Sequence, residues 1–215
     1  MMLSTLVWTL ASLRTLLSLG APAFPVSASD YFPLIPGFKA TYDDSALHKA
    51  QVLNVVQPSL KIGDRDVCPI STYLDGQKTD TVYYSATENE IVIVAYDLKH
   101  PLANPRPVFR VGPGKVTWTY QGVTPFFKDP VSLLLTGESR PGGKKKILRE
   151  TVETLLVSLD ATIGDPKTGG FLVHQEMVFA KGIGMTDMVE SAVVAGKKQS
   201  HHVRLIAFEP GGAKG

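Results

Sequence analysis

Cysteine is almost absent from this chain, because Cys68 is the only one in 215 residues. Disulfide bonds within the chain are therefore excluded, and a domain of this size has to be stabilised by a hydrophobic core. No cysteine stands directly after the apolar N-terminal stretch, so we expect no anchoring through a lipidated N-terminal cysteine. Cys68 has no histidine near it in the sequence, and we interpret it as a small buried hydrophobe and not as a nucleophile.

An excess of charge of one sign is also missing. The chain has 22 Lys and Arg against 20 Asp and Glu, which gives a formal net charge of +2. This balance gives no electrostatic reason to expect nucleic acid as a partner. Paired carboxylates, a Ser-His-Asp arrangement and a complete phosphate-loop signature are not visible either. We therefore expect a protein that is not an enzyme and that uses no cofactor.

The histidine and glycine motifs that suggest a metal or phosphate site are incomplete. His174 and Glu176 share one face of a predicted strand, but no third ligand accompanies them. His201 and His202 are neighbours on a strand and should point to opposite faces, so they cannot readily hold one metal ion. The segment 180–184 lacks the Gly-Lys-Ser/Thr half of a phosphate loop and is better explained as a tight turn. We therefore expect no metal site.

The N-terminal segment, residues 1–28, carries a single charge, Arg14, among apolar and small residues. This pattern predicts a secretory signal peptide with cleavage after Ala28 or, as the weaker alternative, after Ala23. Arg14 divides the apolar run, which argues against a retained transmembrane anchor. We expect a periplasmic or secreted chain that begins close to Ser29 and does not span a membrane.

Strand patterns dominate the rest of the chain. Residues 116–120 alternate without exception, which predicts that Val116, Trp118 and Tyr120 face inward while the two intervening threonines face outward. Residues 171–179 alternate less strictly and predict a half-buried strand of an antiparallel sheet.

Shorter runs complete the predicted sheet. Residues 81–85 and 91–96 flank a polar tip and predict a hairpin. Residues 51–56 and 202–208 predict an early and a final strand, with a helix over 46–52 as the alternative for the early region. We expect a single β domain over 29–208.

The segment 147–160 is ambiguous between strand and helix. Its leucines fall at helical spacing, but β-branched residues occur throughout, which favours a strand. The preceding cations, Lys144, Lys145 and Lys146, stand where a helix N-terminus would favour anions. We expect these lysines in a hairpin loop that follows a strand at 133–135. The predicted fold is all-β, with about nine to eleven strands, since a large twisted antiparallel sheet curls or closes into a half-barrel.

One phrase occurs twice in the sequence. Phe32 precedes the pair Pro36-Gly37 by the same spacing as Phe109 precedes Pro113-Gly114, and a Thr-containing strand that ends in tyrosine follows each pair. Pro and Gly favour the two corners of a β-turn, with positive φ at the glycine. The recurrence predicts two related β-units, over about 31–100 and 108–208, and a disordered tail over 209–215.

Two of these motifs resemble a diffuse group of uncharacterised bacterial exported proteins. Tyr31-Phe32-Pro33-Leu34-x-Pro36-Gly37 is similar to their Tyr-x-Pro-Leu-x-x-Gly start, and the segment 179–185 is similar to their late aromatic-Ala-x-Gly-Val-Gly turn. Ala40 stands where the group usually has an aromatic residue, and Ile183 replaces the valine. The resemblance implies a curved antiparallel sheet like that of periplasmic lipoprotein carriers. Because both motifs are turns, it implies no catalytic residue.

These patterns together predict an exported, non-enzymatic protein whose curled sheet offers a concave apolar face. Trp118, Tyr120 and Phe179 are the candidate ligand-binding residues, and a lipid, an acyl chain or an apolar peptide is the expected partner. The alternative is a structural or protein-interaction module of the cell envelope, with a filled core and an envelope protein as partner. An open apolar cavity would favour the first function and a packed interior the second.

Overall fold

The computed structural model describes residues 26–47, 51–124, 131–165, 170–194 and 196–212. Within these ranges the chain forms one short helix and thirteen strands. They are α1 (Ala28–Tyr31), β1 (Lys39–Asp44), β2 (Gln51–Val56), β3 (Leu60–Ile62), β4 (Arg65–Leu74), β5 (Gln77–Ala86), β6 (Glu90–Ala95), β7 (Pro101–Arg110), β8 (Val116–Thr124), β9 (Val131–Ile147), β10 (Glu150–Ile163), β11 (Phe171–Ala180), β12 (Gly184–Val194) and β13 (Lys197–Glu209). The predicted all-β fold class is confirmed. None of the described residues forms a helix with the length and hydropathy needed to span a bilayer.

The strands form one curled, nearly closed antiparallel sheet. Their order across the sheet is β7-β6-β5-β4-β2-β1-β13-β12-β11-β10-β9-β8, and β3 pairs with β4 beside this path. Strands β1 to β7 come from the N-terminal half of the chain and β8 to β13 from the C-terminal half. The pairing of β1 with β13 joins the two halves. Whether the halves are repeats of one another stays a prediction.

The two edge strands, β7 and β8, meet at a seam without a regular ladder. The Tyr120 hydroxyl on β8 donates to the carbonyl oxygen of Asn104 on β7 at 3.0 Å. Strand β7 contains Pro101, Pro105 and Pro107, which have no N–H to donate. Proline is found on edge strands for this reason, since it removes hydrogen bonds from a ladder. The sheet therefore curls until its edges touch, and side chains close the seam.

Strand β8 has the orientation that its alternation predicts. Trp118 and Tyr120 are buried in the interior, and Val116 packs against the same cluster. Thr117 and Thr119 are exposed on the outer face. Because side chains alternate across a strand, this pattern sets the inner and outer faces of the whole C-terminal half.

Most of the predicted strands are present. The hairpin of β5 and β6 turns at residues 87–89, and 147–160 is a strand over most of its length, as β10. The early region 51–56 is β2 and not a helix, while 48–50 lies outside the described residues. The described chain has more strands than expected, because the sequence patterns did not indicate β3, β4, β7 and β12.

The expectation that Lys144, Lys145 and Lys146 form a loop is wrong. They belong to β9, which pairs with β10 as far as a two-residue turn at Leu148-Arg149. The register places Lys144 opposite Glu153. Opposite charges on facing strands stabilise such a pair, so the basic run extends the hairpin instead of ending it.

The repeated Pro-Gly phrase forms a turn in one copy only. Gly37 has φ +83°, and the Phe38 N–H donates to the Ile35 carbonyl oxygen at 2.9 Å, as a β-turn requires. Gly114 does not have positive φ, so the prediction is wrong there. The reason is topological: the segment after Arg110 does not reverse a hairpin but carries the chain across the seam from β7 to β8.

The two ends of the described chain both pack on the sheet. Ala28, the residue before the favoured cleavage point, is fully buried. Glu209 is the last residue of β13, and the Gly212 N–H donates to the Pro36 carbonyl oxygen at 3.2 Å. Residues 213–215 of the predicted tail lie outside the described residues.

Candidate functional site

The interior of the sheet is filled at one end, here called the packed end, where an aromatic cluster lies. Phe109 and Phe179 approach each other to 4.7 Å between ring centroids, and Phe32 lies 6.3 Å from Phe109 and 6.1 Å from Phe179. Tyr31 is buried in the same cluster. The two phenylalanines of the repeated sequence phrase, Phe32 and Phe109, are therefore neighbours in the core.

Helix α1 closes the packed end. The Ala28 N–H donates to the Glu88 carbonyl oxygen at 2.8 Å, and the Gly182 N–H donates to the Asp30 carbonyl oxygen at 2.7 Å. Lys181 adds an ion pair with Asp30 at 3.3 Å. The helix thus joins the tip of the β5–β6 hairpin to the turn between β11 and β12. The two turn motifs singled out in the sequence, at residues 31–37 and 179–185, meet here.

The three predicted ligand-binding residues lie together in the interior. Trp118, Tyr120 and Phe179 expose 5%, 6% and 1% of their surface and belong to one buried cluster. Trp118 lies over Gly137 on the facing strand, where a methyl group would overlap its indole ring. The Trp118 indole N–H is buried without a hydrogen-bond partner. These side chains are buried among other members of the cluster, and none of them lines the cavity described next.

The opposite end, here called the cavity end, contains a cavity of about 250 Å³. It is bounded by strands β7 to β12, and most of its wall is apolar. The lining residues are Arg106, Thr124, Leu133, Leu135, Leu159, Ala161, Ile163, Phe171, Val173, Gln175 and Glu190. The volume exceeds the roughly 150 Å³ of an apolar cavity that holds benzene and lies just below the range of about 300–1,000 Å³ for drug-sized ligands.

Arg106 brings a cation to this cavity. Its Nη1 donates to the Tyr96 hydroxyl oxygen at 2.8 Å, whereas its Nε is buried without a hydrogen-bond partner. Burial raises the pKa of the Tyr96 hydroxyl, and Arg106 opposes that rise. Burial likewise raises the pKa of the Tyr84 hydroxyl, and the positive charge of Arg106 opposes this rise as well. Both phenols therefore stay neutral at physiological pH and can act as donors as well as acceptors.

Glu190 brings a carboxylate to the same cavity, and this carboxylate already has partners within the protein. Gln175 on the neighbouring strand donates its side-chain N–H to the Glu190 carboxylate. His201 on β13 places its Nδ1 at 4.0 Å from the same carboxylate. The cavity therefore holds one acceptor that has partners within the protein and one donor, Arg106 Nε, that has none.

The outer face carries the other charged groups weighed in the sequence. His174 contacts Asp160 at 2.8 Å and Glu176 at 3.8 Å, and all three are exposed. His202 contacts Asp187 on the outer face, whereas His201 points toward Glu190, so the predicted opposite orientation of the pair is confirmed. No group of three metal-ligating side chains occurs among the residues that the structure describes.

A larger groove of about 430 Å³ lies along the outer face of β9 to β12. Charged side chains border it, among them Glu138, Arg140, Glu176 and Asp187. Three carboxylates around an exposed groove do not suit an apolar ligand or an anion. The smaller cavity is therefore the better candidate site, because its wall is mostly apolar and its polar groups are few.

Sequence reasoning missed Arg106 and Glu190. Arg106 lies between Pro105 and Pro107 in an edge strand, and the pairing of β6 with β7 contains two register shifts. Each shift moves the following side chains to the other face, so the alternation alone does not show that Arg106 faces the cavity. A charged residue flanked by prolines in a strand was the one available signal.

Two solved structures are similar to this chain at low sequence identity. An inferred exported protein with a YmcC-like fold from Bacteroides fragilis has a TM-score of 0.43 and 10% identity, with 83% of this chain and 98% of that chain covered. An inferred lipoprotein from Parabacteroides distasonis has a TM-score of 0.42 and 8% identity over the same shares. No protein-family model and no curated protein matches the chain. The function therefore has to be argued from the residues of this chain.

Proposed function

We propose that this chain is an exported, non-enzymatic protein that binds a single apolar chain, such as an acyl chain, in the cavity end of its sheet. The observation that carries the proposal is the cavity of about 250 Å³ with its apolar wall. The apolar N-terminal stretch with its two cleavage points supports the exported location, periplasmic or secreted.

Three adjacent strands supply the apolar wall of the cavity. Leu133, Leu159, Ala161, Ile163 and Val173 come from three adjacent strands, β9, β10 and β11. Burial of each methylene group of a ligand against such a wall contributes about 0.8 kcal/mol. The volume suits one chain and is small for a two-chain lipid.

The proposal moves the contact surface away from the residues expected first. Trp118, Tyr120 and Phe179 are buried among other side chains, so a ligand would have to displace core packing to reach them. The cavity wall needs no such displacement. In this proposal the three residues support the site by holding the sheet closed around it.

The decisive experiment combines native mass spectrometry with a ligand titration. The purified protein should carry a co-purified single-chain lipid or, after delipidation, should bind a fluorescent fatty-acid analogue saturably at micromolar concentration. Absence of both results would contradict the proposal.

A pair of neighbouring variants locates the site. Ala161→Phe fills the cavity and should abolish binding, whereas Thr162→Phe adds the same ring to the adjacent outward position and should leave binding unchanged. Melting curves of both proteins establish that they are folded. Ala161→Leu is a milder variant that should weaken binding and is less prone to misfold. Equal binding by all three variants would place the ligand elsewhere.

The second candidate function is an interaction module, and the basic arm of β9 and β10 favours it. Residues 140–153 form a two-stranded part of the sheet: within the described chain, residues 140–147 of β9 pair only with β10, and residues 150–153 of β10 pair only with β9, since β8 pairs with β9 as far as Ser139 and β11 pairs with β10 from Thr154. The arm carries five cations and two carboxylates, and Leu148 is exposed at its tip with φ +52°. Loss of partner capture from envelope extracts by Leu148→Ser, with ligand binding intact, would support this function.

A further inference from the structure

We infer that the ligand of the cavity end is a single-chain carboxylic acid whose carboxylate is bound by Arg106. This inference rests on the proposed function and adds the chemical class of the head group. It starts from a buried donor in the cavity that no described residue satisfies.

The unsatisfied donor is the Nε–H of Arg106. Buried polar groups in folded proteins almost always have a hydrogen-bond partner, and an unsatisfied buried donor destabilises the folded state. Arg106 Nε is buried without one, although Arg106 lines a cavity with room for a ligand. A ligand that supplies an acceptor oxygen at this position would remove the cost.

The part of the guanidinium that remains free has the shape for a carboxylate. Tyr96 occupies Nη1, which leaves the edge formed by Nε and Nη2. That edge presents two parallel N–H groups, and a carboxylate accepts from both in a bidentate pair. Burial around the site strengthens such a pair by lowering the local dielectric constant.

The other charged group of the cavity does not compete for Arg106. Glu190 accepts from Gln175 and lies near His201, and Arg106 forms no ion pair with any described residue. Glu190 also lies on a different strand from Arg106. Glu190 is on β12, its partners Gln175 and His201 are on the adjacent strands β11 and β13, and Arg106 is on β7. The cavity thus combines a carboxylate that already has a hydrogen-bond partner, an apolar wall and a free cationic edge, which together match a fatty acid.

The test compares ligands that differ only in the head group. Dodecanoate, dodecanol and dodecyl phosphate are titrated against the delipidated protein, with displacement of a fluorescent fatty-acid analogue as the measurement. We expect dodecanoate to bind most tightly. Arg106→Gln should weaken dodecanoate by about tenfold to a hundredfold, as for the loss of a charged hydrogen bond, and should leave dodecanol unchanged. Retained dodecanol binding also reports that the variant is folded.

Two matched variants sharpen the test. Arg110→Gln removes a cation from the same strand, where it forms an ion pair with Glu90 at 3.0 Å outside the cavity lining, and should leave all three affinities unchanged. Arg106→Lys keeps the charge but lacks the fork, so it should restore only part of the preference for dodecanoate.

The outcomes separate this inference from the proposed function. Equal binding of dodecanoate and dodecanol, both abolished by Ala161→Phe, would overturn the carboxylate assignment and leave the apolar site intact. Tighter, Arg106-dependent binding of dodecyl phosphate would also overturn it in favour of a phosphate head group. Failure of all three ligands to bind the wild-type protein would overturn the proposed function and this inference with it.

Discussion

The packed end and the cavity end of the interior share strands β7 to β12 but are filled differently. Strand β11 supplies Phe179 to the packed end and Val173 to the cavity end. The packed end also receives a segment of the chain itself, α1 and Phe32, which crosses from one side of the sheet to the other. The wall of the cavity end receives no such segment among the described residues that line it. Enclosure by a curled sheet is therefore not enough to fill its interior, and an inserted segment decides which end becomes core.

We expect the largest loss of stability for a change of an aromatic residue at the packed end. Phe179→Ala should lower the free energy of unfolding by about 3–5 kcal/mol, because a fully buried phenyl ring leaves a void. Leu172→Ala on the outer face of the same strand should change it by about 0.5 kcal/mol or less, since Leu172 is 47% exposed. Denaturant titration measures both. A small effect of Phe179→Ala would show that the packed end is not the stabilising core.

A second prediction concerns the contact of Trp118 with Gly137, between the two ends. Gly137→Ala places a methyl group in the volume of the indole ring, so the ring has to move from its packed position. We expect a loss of about 1–3 kcal/mol. The double variant Gly137→Ala with Trp118→Ala should lose less than the sum of the two single changes, because the clash is absent without the ring. Additive losses would show that the packed position of the Trp118 ring does not depend on the absence of a side chain at Gly137.

The third prediction uses the buried start of the packed end to choose between the two cleavage points. Ala28 is fully buried and its N–H is hydrogen-bonded, so a chain that starts at Ser29 would lose about 1–2 kcal/mol relative to one that starts after Ala23. We therefore expect N-terminal sequencing of the exported protein to find cleavage after Ala23. Thermal unfolding of the two purified forms gives the energetic check. A mature chain starting at Ser29 with unchanged stability would contradict the role assigned to Ala28.

The smallest effect concerns Tyr84 at the packed end, whose ring centroid lies 5.1 Å from that of Phe32. Burial raises the pKa of its phenol above the ordinary value of 10.0. Above pH 10 the unfolded chain loses the phenolic proton while the folded chain retains it, so the free energy of unfolding should fall as pH rises. The slope contributed by one such tyrosine is at most about 1.4 kcal/mol per pH unit.

Tyr84→Phe should flatten this pH dependence between about pH 10 and pH 11. Tyr73→Phe, the same change on the neighbouring strand β4, is the control. Denaturation midpoints measured at several pH values give the slopes. The same slope in Tyr84→Phe as in the wild type would show that the Tyr84 phenol titrates in the folded state.

The sequence by itself determined the fold class, most strands and the inward face of β8. Alternation is a local property, so Val116, Trp118 and Tyr120 could be placed inside without knowledge of any other strand. The two turn motifs were also visible as motifs. Their meeting through Asp30 and Gly182 was not, because their separation along the chain carries no information about pairing across the sheet.

Only the tertiary structure decided which interior side chains form core and which border a cavity. Trp118, Tyr120 and Phe179 are aromatic and inward-facing, and sequence reasoning selected them for that reason. Whether a ligand can reach such residues depends on what else packs around them in the interior, and α1 packs beside Phe179 at the packed end. Arg106 lies between two register shifts in the pairing of β6 with β7, so alternation along β7 alone does not show that it faces the cavity. Burial and register are properties of neighbouring strands taken together, so no single segment of the sequence contains them.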